Sequence, residues 1–335
     1  MKKIRIGING FGRIGRVAAR IILKRKDLQL AAINSRATSS SHAYLLQYDS
    51  TYGKLNLPVK AEKDLLTVED DKISVLNYPV PAEIPWKRHN IDIVIDATGK
   101  FRTTDELKGH LKAGAGYVIL SAPAKDDTKT LVMGVNHRDF NPQNDLILSN
   151  SSCTTNCLSA VIKVLIKNFQ VNRAFMTTVH ALTDSQNLLD NSNKSVRLRR
   201  SAVASIIPAA TGSARDIVKL FPELSGRIIC RALRVPVSTV SLINLTAQVN
   251  KKVTVSEVNS AFLSASESYL KNILSYSSAE LVSVDYKAAP FSATYDHFLT
   301  DIIDGRLINL CAWYDNEWGY CERLADLCQY IGTGI

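Results

Sequence analysis

Through the first 150 residues, short apolar runs alternate with stretches whose apolar positions recur at helical spacing. Residues 3–8, 28–34, 91–96, 117–121, 131–134 and 146–149 predict strands, and residues 13–23 and 104–113 predict helices. The polar break Glu69-Asp70-Asp71-Lys72 within residues 65–75 predicts a hairpin, and Pro79, Pro81 and Pro85 interrupt regular structure before Trp86. Strands alternating with helices argue a doubly wound α/β domain. The second half has a different texture. Residues 173–180, 228–235, 238–248, 281–286 and 307–313 are long β-rich runs, with helices near 214–220 and 255–270 among them. That pattern argues an α+β domain on a mostly antiparallel sheet. Residues 181–200 predict a long polar loop, of a kind that is functional or disordered in compact domains. Leu324, Leu327 and Ile331 fall at helical spacing, so residues 317–331 predict a closing helix.

A chain of 335 residues has room for two domains with separate cores. We place one over residues 1–152 and 317–335 and the other over 153–316. No apolar run reaches membrane-spanning length. The opening Met1-Lys2-Lys3-Ile4 has a basic tip but no signal-peptide apolar region, so it reads as a first strand and a cytoplasmic protein is expected. Six cysteines (153, 157, 230, 311, 321 and 328) without a secretion signal argue for reduced thiols. Their spacings complete no metal motif, so no metal is expected. The net charge of +10 is scattered, with its densest cluster at Arg197-Leu198-Arg199-Arg200. Scattered charge without a basic tail or RNA-binding aromatic signature points to anionic small molecules, with no dedicated nucleic-acid site.

Two stretches carry chemistry. Asn9-Gly10-Phe11-Gly12-Arg13-Ile14-Gly15 follows the first predicted strand and opens the first predicted helix. There Gly10 permits a tight turn, Gly12 lets backbone approach a pyrophosphate, and Gly15 lets helix pack on strand. Phosphates then meet the helix N-terminus. At the end of the second strand, a dinucleotide fold that prefers NAD normally carries a carboxylate about twenty residues past the glycines. This chain has Asn34-Ser35-Arg36, with no carboxylate until Asp49. Losing that charge removes repulsion toward a 2′-phosphate, to which Ser35 can donate and with which Arg36 can pair. The pattern leans toward NADP alongside NAD; a solvated Arg36 with Ser35 on a plain ribose is the alternative.

The second stretch is Ser149-Asn150-Ser151-Ser152-Cys153-Thr154-Thr155-Asn156-Cys157, followed by apolar residues from Leu158. It reads as a strand, a polar turn and a capped helix, with Cys153 at the positive helix end, where a thiolate is favoured. Polar neighbours argue against an inert buried thiol. His180 ends a predicted strand just before the polar loop and is the best proton partner among six histidines. A nucleophilic thiol coupled to a dinucleotide domain is what oxidation of an aldehyde to an acyl-enzyme requires.

The motifs Asn9 to Arg16, Gln47-Tyr48-Asp49-Ser50-Thr51, Ser121-Ala122-Pro123, Ser152 to Cys157, Thr178-Val179-His180-Ala181, Ile206-Ile207-Pro208, Arg234-Val235-Pro236 and Trp313-Tyr314-Asp315-Asn316-Glu317 together resemble the phosphorylating glyceraldehyde-3-phosphate dehydrogenases. The resemblance runs from Ile6 to Tyr330. It implies a Rossmann dinucleotide-binding domain, a catalytic α+β domain, and reversible oxidation of glyceraldehyde 3-phosphate to 1,3-bisphosphoglycerate through a Cys153 thioester, with His180 as base. It further implies that Ser152, Thr154, Thr211 and Gly212 hold the attacking inorganic phosphate. Thr183, Arg234 and Arg197 would hold the substrate phosphate; Asn316 would fix the nicotinamide with Tyr320 nearby; Thr98 and Ser121 would line the cofactor cleft. A homotetramer in glycolysis or gluconeogenesis is the family's setting.

The chain departs from the family pattern at Ser35, at Ser185, and in the arginine placement of residues 196–200, which leaves Arg197 and Arg200 as alternatives. Erythrose-4-phosphate dehydrogenase, which hydrolyses its thioester, is the nearest rival reading. An inactive RNA- or surface-binding protein on the same scaffold is the rival of a different class.

Overall fold

The computed structural model describes residues 3–333, so the Met1-Lys2 tip lies outside the described residues. The chain forms two compact units, one running to Ser151 and resuming at Cys321, the other spanning Ser152–Tyr320.

The first unit begins with β1 (Ile4–Asn9), α1 (Arg13–Ile22), β2 (Leu28–Asn34) and α2 (Ser39–Gln47). A hairpin of β3 (Tyr48–Asp49) and β4 (Gly53–Lys54) follows, then β5 (Val59–Glu62), β6 (Leu65–Val68) and β7 (Asp71–Leu76). It ends with β8 (Ile93–Asp96), α3 (Thr104–Lys112), β9 (Tyr117–Leu120), β10 (Lys129–Thr130) and β11 (Ile147–Ser149). Nine strands form one sheet in the order β10-β11-β9-β8-β1-β2-β7-β6-β5. β1 pairs in parallel with both β2 and β8, bringing Asn9 level with Asn34 on one side and Asp96 on the other. The chain builds outward from β1 in one direction and later in the other, so the strand order reverses at β1, where doubly wound sheets bind ligands. These central strands read as near-continuous apolar runs because helices cover both faces of a parallel sheet. Ile6, Ile8, Ile33, Ile93 and Ile95 are all fully buried.

The predicted hairpin is β6–β7, with Glu69 in the left-handed region at φ 52°. The predicted strand over residues 131–134 is a turn instead. The Asn136 side chain accepts from the Val132 N–H at 2.8 Å and donates to the Thr130 carbonyl at 2.9 Å, closing the backbone where a strand would extend it.

The second unit opens with α4 (Cys153–Phe169) and β12 (Val171–His180), then β13 (Ile207–Ala209), α5 (Ser213–Leu220), β14 (Ile228–Arg234) and β15 (Ser241–Val249). It continues through α6 (Val255–Glu267), β16 (Leu274–Ser277), β17 (Ala293–Ile303) and β18 (Leu307–Tyr314). Its sheet of seven strands runs β13-β14-β12-β15-β18-β17-β16. Four of its six ladders are antiparallel and two parallel, which makes it the mostly antiparallel sheet that the sequence predicts. On β15 buried and half-buried residues alternate, the mark of a sheet with one covered face. Residues 281–286 are not a strand: the Asp285 carboxylate accepts from the Val282 N–H at 2.9 Å and winds Ser283–Tyr286 into a short 3-10 turn. The strands that flank this turn, β16 and β17, escape the sequence pattern. β17 mixes polar and apolar residues without steady alternation and breaks register between Asp296 and Thr300.

α7 (Trp318–Gly332) returns the chain to the first unit. There Arg25 pairs with Glu322 at 2.6 Å and Asp326 at 2.7 Å, and Ile4 lies against Gly332. Among the described residues no helix is long and apolar enough to cross a membrane.

Candidate active site

In the second unit, a short stretch of polar chain sets the geometry. Ser152 caps α4: its hydroxyl accepts from the Thr155 N–H at 3.1 Å and bonds the Thr155 hydroxyl at 2.9 Å. The cap fixes Cys153 as the first helical residue, on the helix end that carries partial positive charge. β12 supplies His180 as its last residue, and the imidazole Nε2 lies 3.6 Å from the Cys153 Sγ. β12 pairs in parallel with β14, and the register sets Arg234 opposite His180. The Arg234 Nη1 reaches the His180 Nδ1 at 2.5 Å and the Ala181 carbonyl at 3.3 Å. The last residue of β18 completes the group. Tyr314 hydroxyl bonds the Thr154 hydroxyl at 2.9 Å and the Thr178 hydroxyl at 2.8 Å, and its ring stands edge-on to the imidazole.

Burial dominates the electrostatics. It pushes the Cys153 thiol up, and the pull of Arg234 and of hydrogen bonding with Thr154 in the other direction does not overcome it. The helix-end position alone predicts a thiolate; in this desolvated pocket the thiol form prevails. Burial, with Arg234 alongside, lowers His180 to about 3, so the imidazole is neutral at pH 7 and free to act as a base. Burial likewise lowers Arg234 and raises the Tyr314 phenol, which stays protonated. Cys157 is fully buried with its thiol raised well above the usual range, a packing residue.

The other residues of this unit gather in smaller groups. Thr211 hydroxyl bonds Ser213 hydroxyl at 2.9 Å at the start of α5, where Gly212 is the cap residue and a Cβ on it would meet nothing within 4 Å. Thr183 hydroxyl bonds Ser185 at 2.9 Å, and its N–H donates to the buried Gln186 side chain at 3.1 Å. Arg200 is held by Asp190 at 3.0 Å and Arg199 by the Asn193 carbonyl at 3.0 Å, whereas Arg197 is exposed. Asn316 is buried, and its side-chain oxygen accepts from Ser241, which in turn accepts from the Ala181 N–H. Tyr320 is buried close by in sequence. Sequence reasoning placed Tyr314 and Thr178 in motifs without a bonding role and passed over Ser241: hydroxyl and aromatic residues are ordinary strand formers, and only the three-dimensional register exposes their bonding.

In the first unit, Gly10 has φ +94°, and a Cβ there would sit 2.8 Å from the Ala97 carbonyl carbon and the Thr98 nitrogen. Gly12 caps α1 without any side-chain hydrogen bond, and a Cβ on it would meet nothing within 4 Å. Gly15 packs its α-carbon against the Gly10 carbonyl. The turn therefore presents bare backbone at a helix start, a fit for a pyrophosphate. Ile14 lies within α1's first turn, and Phe11 is buried against the His42 ring. The Arg13 guanidinium goes elsewhere, to Asp49 at 2.5 Å, so only its backbone faces the turn's task. Burial raises Asp49, but Arg13 and the N–H groups of Tyr52 and Thr51 outweigh it and hold the carboxyl below its ordinary range. Asn34 is also committed: its amide donates to Asn9 at 2.8 Å and to the Tyr78 carbonyl at 3.0 Å, and accepts from the Tyr78 N–H at 2.9 Å. Ser35 is half-buried and Arg36 exposed at the end of β2. Thr98 donates to Asp96 at 2.6 Å, and half-buried Ser121 follows β9.

Comparison with known proteins agrees with this chemistry. A family model described as glyceraldehyde 3-phosphate dehydrogenase, NAD binding domain, matches residues 4–104, and one described as the C-terminal domain matches residues 152–316. The chain is 43% identical to glyceraldehyde-3-phosphate dehydrogenase 2 of Bacillus subtilis, over 99% of this chain and 97% of the relative. It is 43% identical to the glyceraldehyde-3-phosphate dehydrogenase of Geobacillus stearothermophilus over 98% of each chain, and to that of Streptomyces coelicolor over 99% of each. The chain belongs to the glyceraldehyde-3-phosphate dehydrogenase family and is an oxidoreductase with a dinucleotide-binding domain.

Proposed function

We propose that this family member oxidises glyceraldehyde 3-phosphate and joins the acyl group to inorganic phosphate, giving 1,3-bisphosphoglycerate reversibly, with Cys153 as nucleophile and His180 as base. The observation that carries the reading is the 3.6 Å approach of His180 Nε2 to Cys153 Sγ at the capped start of α4, with Arg234 beside the pair. Sγ bonds the aldehyde carbon as its proton passes to the imidazole, which returns it to the carbonyl oxygen, giving a hemithioacetal and a neutral His180 again. A nicotinamide dinucleotide, when bound, supplies the acceptor for the hydride that leaves this carbon. His180 takes the hydroxyl proton at that point, and the carbon becomes a thioester on Cys153. A phosphate oxygen then attacks the thioester carbon and Sγ departs as the leaving group, its proton restored through His180.

Side chains for both phosphates are at hand in our reading. Ser152, Thr154, Thr211 and Gly212 receive the attacking phosphate, and Thr183, Arg234 and Arg197 the substrate phosphate. Engagement of Arg200 by Asp190 favours Arg197 in that role. The bare turn at Gly10, Phe11, Gly12, Arg13 and Ile14 would hold the dinucleotide pyrophosphate through backbone, with Thr98, Ser121, Asn316 and Tyr320 as further contacts. Ser35 and Arg36, with no carboxylate at the end of β2, favour acceptance of NADP as well as NAD. NADP use would suit the gluconeogenic direction and NAD the glycolytic one.

We also propose a homotetramer in the cytoplasm. Phe175 and Ile229 on adjacent strands, with Leu188, Leu189, Val196, Val203 and Ile206 after β12, are apolar and exposed, as surfaces that close on other copies are. Steady-state kinetics with NAD and NADP, with and without inorganic phosphate, test the enzymatic reading. Phosphate-dependent formation of an acyl phosphate is expected. Equal turnover without phosphate would point to thioester hydrolysis, as in erythrose-4-phosphate dehydrogenase.

A further inference from the structure

One line of side-chain hydrogen bonds ties together the carboxyl ends of the adjacent strands β8, β1 and β2, and Asp96 stands at its middle. Four donors converge on this fully buried side chain. The Thr98 N–H and hydroxyl reach Oδ1 at 3.1 and 2.6 Å; the Asn9 amide nitrogen and the His110 Nε2 reach Oδ2 at 2.8 and 3.1 Å. The direction of each bond is set from the two ends of the line. At one end the buried Trp86 indole N–H, a donor only, lies 2.9 Å from the His110 Nδ1. Nδ1 must accept it, so the ring proton sits on Nε2 and points to Asp96. At the other end the Tyr78 N–H donates to the Asn34 side-chain oxygen at 2.9 Å, which turns the Asn34 amide nitrogen toward the Asn9 oxygen at 2.8 Å. That leaves the Asn9 amide nitrogen for Asp96. It also stands 3.5 Å from the His110 Nε2, at the limit of hydrogen bonding, and its shorter bond to Asp96 is the one that orients it. The Thr98 hydroxyl accepts from the Lys100 N–H at 3.1 Å, which leaves its own proton for Asp96. Every one of these neighbours gives a proton to Asp96 and none takes one, so the position calls for a carboxylate and not for an acid or an amide.

Resting on the cofactor reading above, we propose that Asp96 is a positioning residue that holds both borders of the dinucleotide site through one buried charge. The first border is the turn after β8, where Oδ1 fixes Thr98 by backbone and side chain together. The second is the end of β2, where Asn9 and Asn34 carry the tie to the residue before Ser35. Between them lies the glycine turn, whose Gly10 N–H bonds the Asn34 carbonyl at 2.8 Å, while the Ala97 N–H bonds the Asn9 carbonyl at 2.7 Å. A dinucleotide laid across β1 meets residues on both sides of it, so its affinity depends on how firmly the two borders are spaced. Asp96 and His110 are fully buried. They act on the cofactor only through Thr98, Asn9 and Asn34, and the chemistry at Cys153 does not depend on them once the cofactor is bound.

The test is calorimetric titration of NAD into full-length parent and variants, alongside steady-state kinetics. Asp96→Asn keeps the shape of the side chain but removes its charge and turns one acceptor into a donor. It is expected to raise the Kd for NAD, and the cofactor KM with it, by about tenfold or more, the scale of a lost hydrogen bond to a charged group. At saturating cofactor, kcat is expected to stay within about threefold of the parent's. His110→Leu, which removes one donor to Asp96, should weaken NAD binding by a similar factor; His110→Gln, which restores a donor, should bind within about threefold of the parent. If Asp96→Asn does not fold, the two His110 variants decide. 15N solid-state spectra of the histidine-labelled parent, which need no variant, should show the His110 proton on Nε2, identified by contact with the Trp86 indole. A proton on Nδ1 overturns the assignment. So does an unchanged NAD affinity in Asp96→Asn, a fall in its kcat without a rise in Kd, or equal binding by the Leu and Gln variants. A parent that binds no NAD sinks the cofactor reading; a parent that binds NAD no better than Asp96→Asn does sinks only the role of Asp96.

Discussion

Two helix starts in this protein solve the same electrostatic problem in opposite ways. Both α1 and α4 follow a strand and a tight turn, and both leave N–H groups without intrahelical partners. α1 opens on Gly12, with no side-chain cap, no acidic residue in its first turn and open space around the glycine. α4 opens on Ser152, whose hydroxyl caps it, and Thr154, Thr155 and Asn156 are buried behind Cys153. The first start offers bare backbone N–H groups; the second caps the Thr155 N–H with its own hydroxyl and holds Cys153 in place. A helix dipole therefore binds a ligand or positions a side chain according to whether the chain supplies its own cap.

Substitutions on the two starts should fail in different kinetic constants. Cys153→Ser is expected to lower kcat by on the order of a thousandfold or more, while NAD binding measured by calorimetry stays intact. His180→Asn should lower kcat by about a hundredfold to ten-thousandfold with little change in cofactor KM. Dehydrogenase activity in Cys153→Ser close to the parent's would remove α4 from the chemistry. On the α1 side, Gly10→Ala places a Cβ against backbone at a positive φ. Its expected mark is a rise of about tenfold or more in cofactor KM with kcat largely kept; a kcat defect alone would erase the contrast between the two starts.

Smaller effects sharpen the picture. Ser35→Asp should reduce NADP efficiency about tenfold relative to NAD, by restoring repulsion toward a 2′-phosphate. An unchanged ratio of efficiencies would remove Ser35 from cofactor choice. A further expected effect is on stability. His180 is lowered to about 3 in the fold, against about 6.5 unfolded, so between these values the unfolded chain binds the extra proton. This group therefore gives its full share of stability above pH 6.5 and loses it as pH falls toward 3, by up to about 1.4 kcal/mol per unit. Denaturant unfolding of His180→Gln should be less acid-sensitive than the parent across that window; identical slopes would mean the imidazole is not held neutral.

Much of both starts was legible in the sequence, for different reasons. Glycines between an apolar run and a helical period have few physical explanations other than a backbone turn. A cysteine among polar residues is conspicuous in the same way. Side chains that commit to internal bonds were not legible: Arg13 and Asn34 fall among the expected cofactor-binding positions, yet Arg13 pairs with Asp49 and Asn34 ties β2 to Asn9 and Tyr78. Tyr314 and Thr178 were hidden because strand propensity explains them equally well until the register of β12 and β18 is known. The apolar segment at residues 281–286 misled for a related reason, since one carboxylate, Asp285, overrides the β-forming tendency of its neighbours.

The claim that Cys153 forms the thioester is tested most directly by rapid mixing of the NAD-saturated enzyme with glyceraldehyde 3-phosphate in the absence of inorganic phosphate. The account predicts a burst of reduced cofactor equal to one per Cys153, followed by slow turnover that phosphate restores. A steady rate without a burst, indifferent to phosphate, would contradict it.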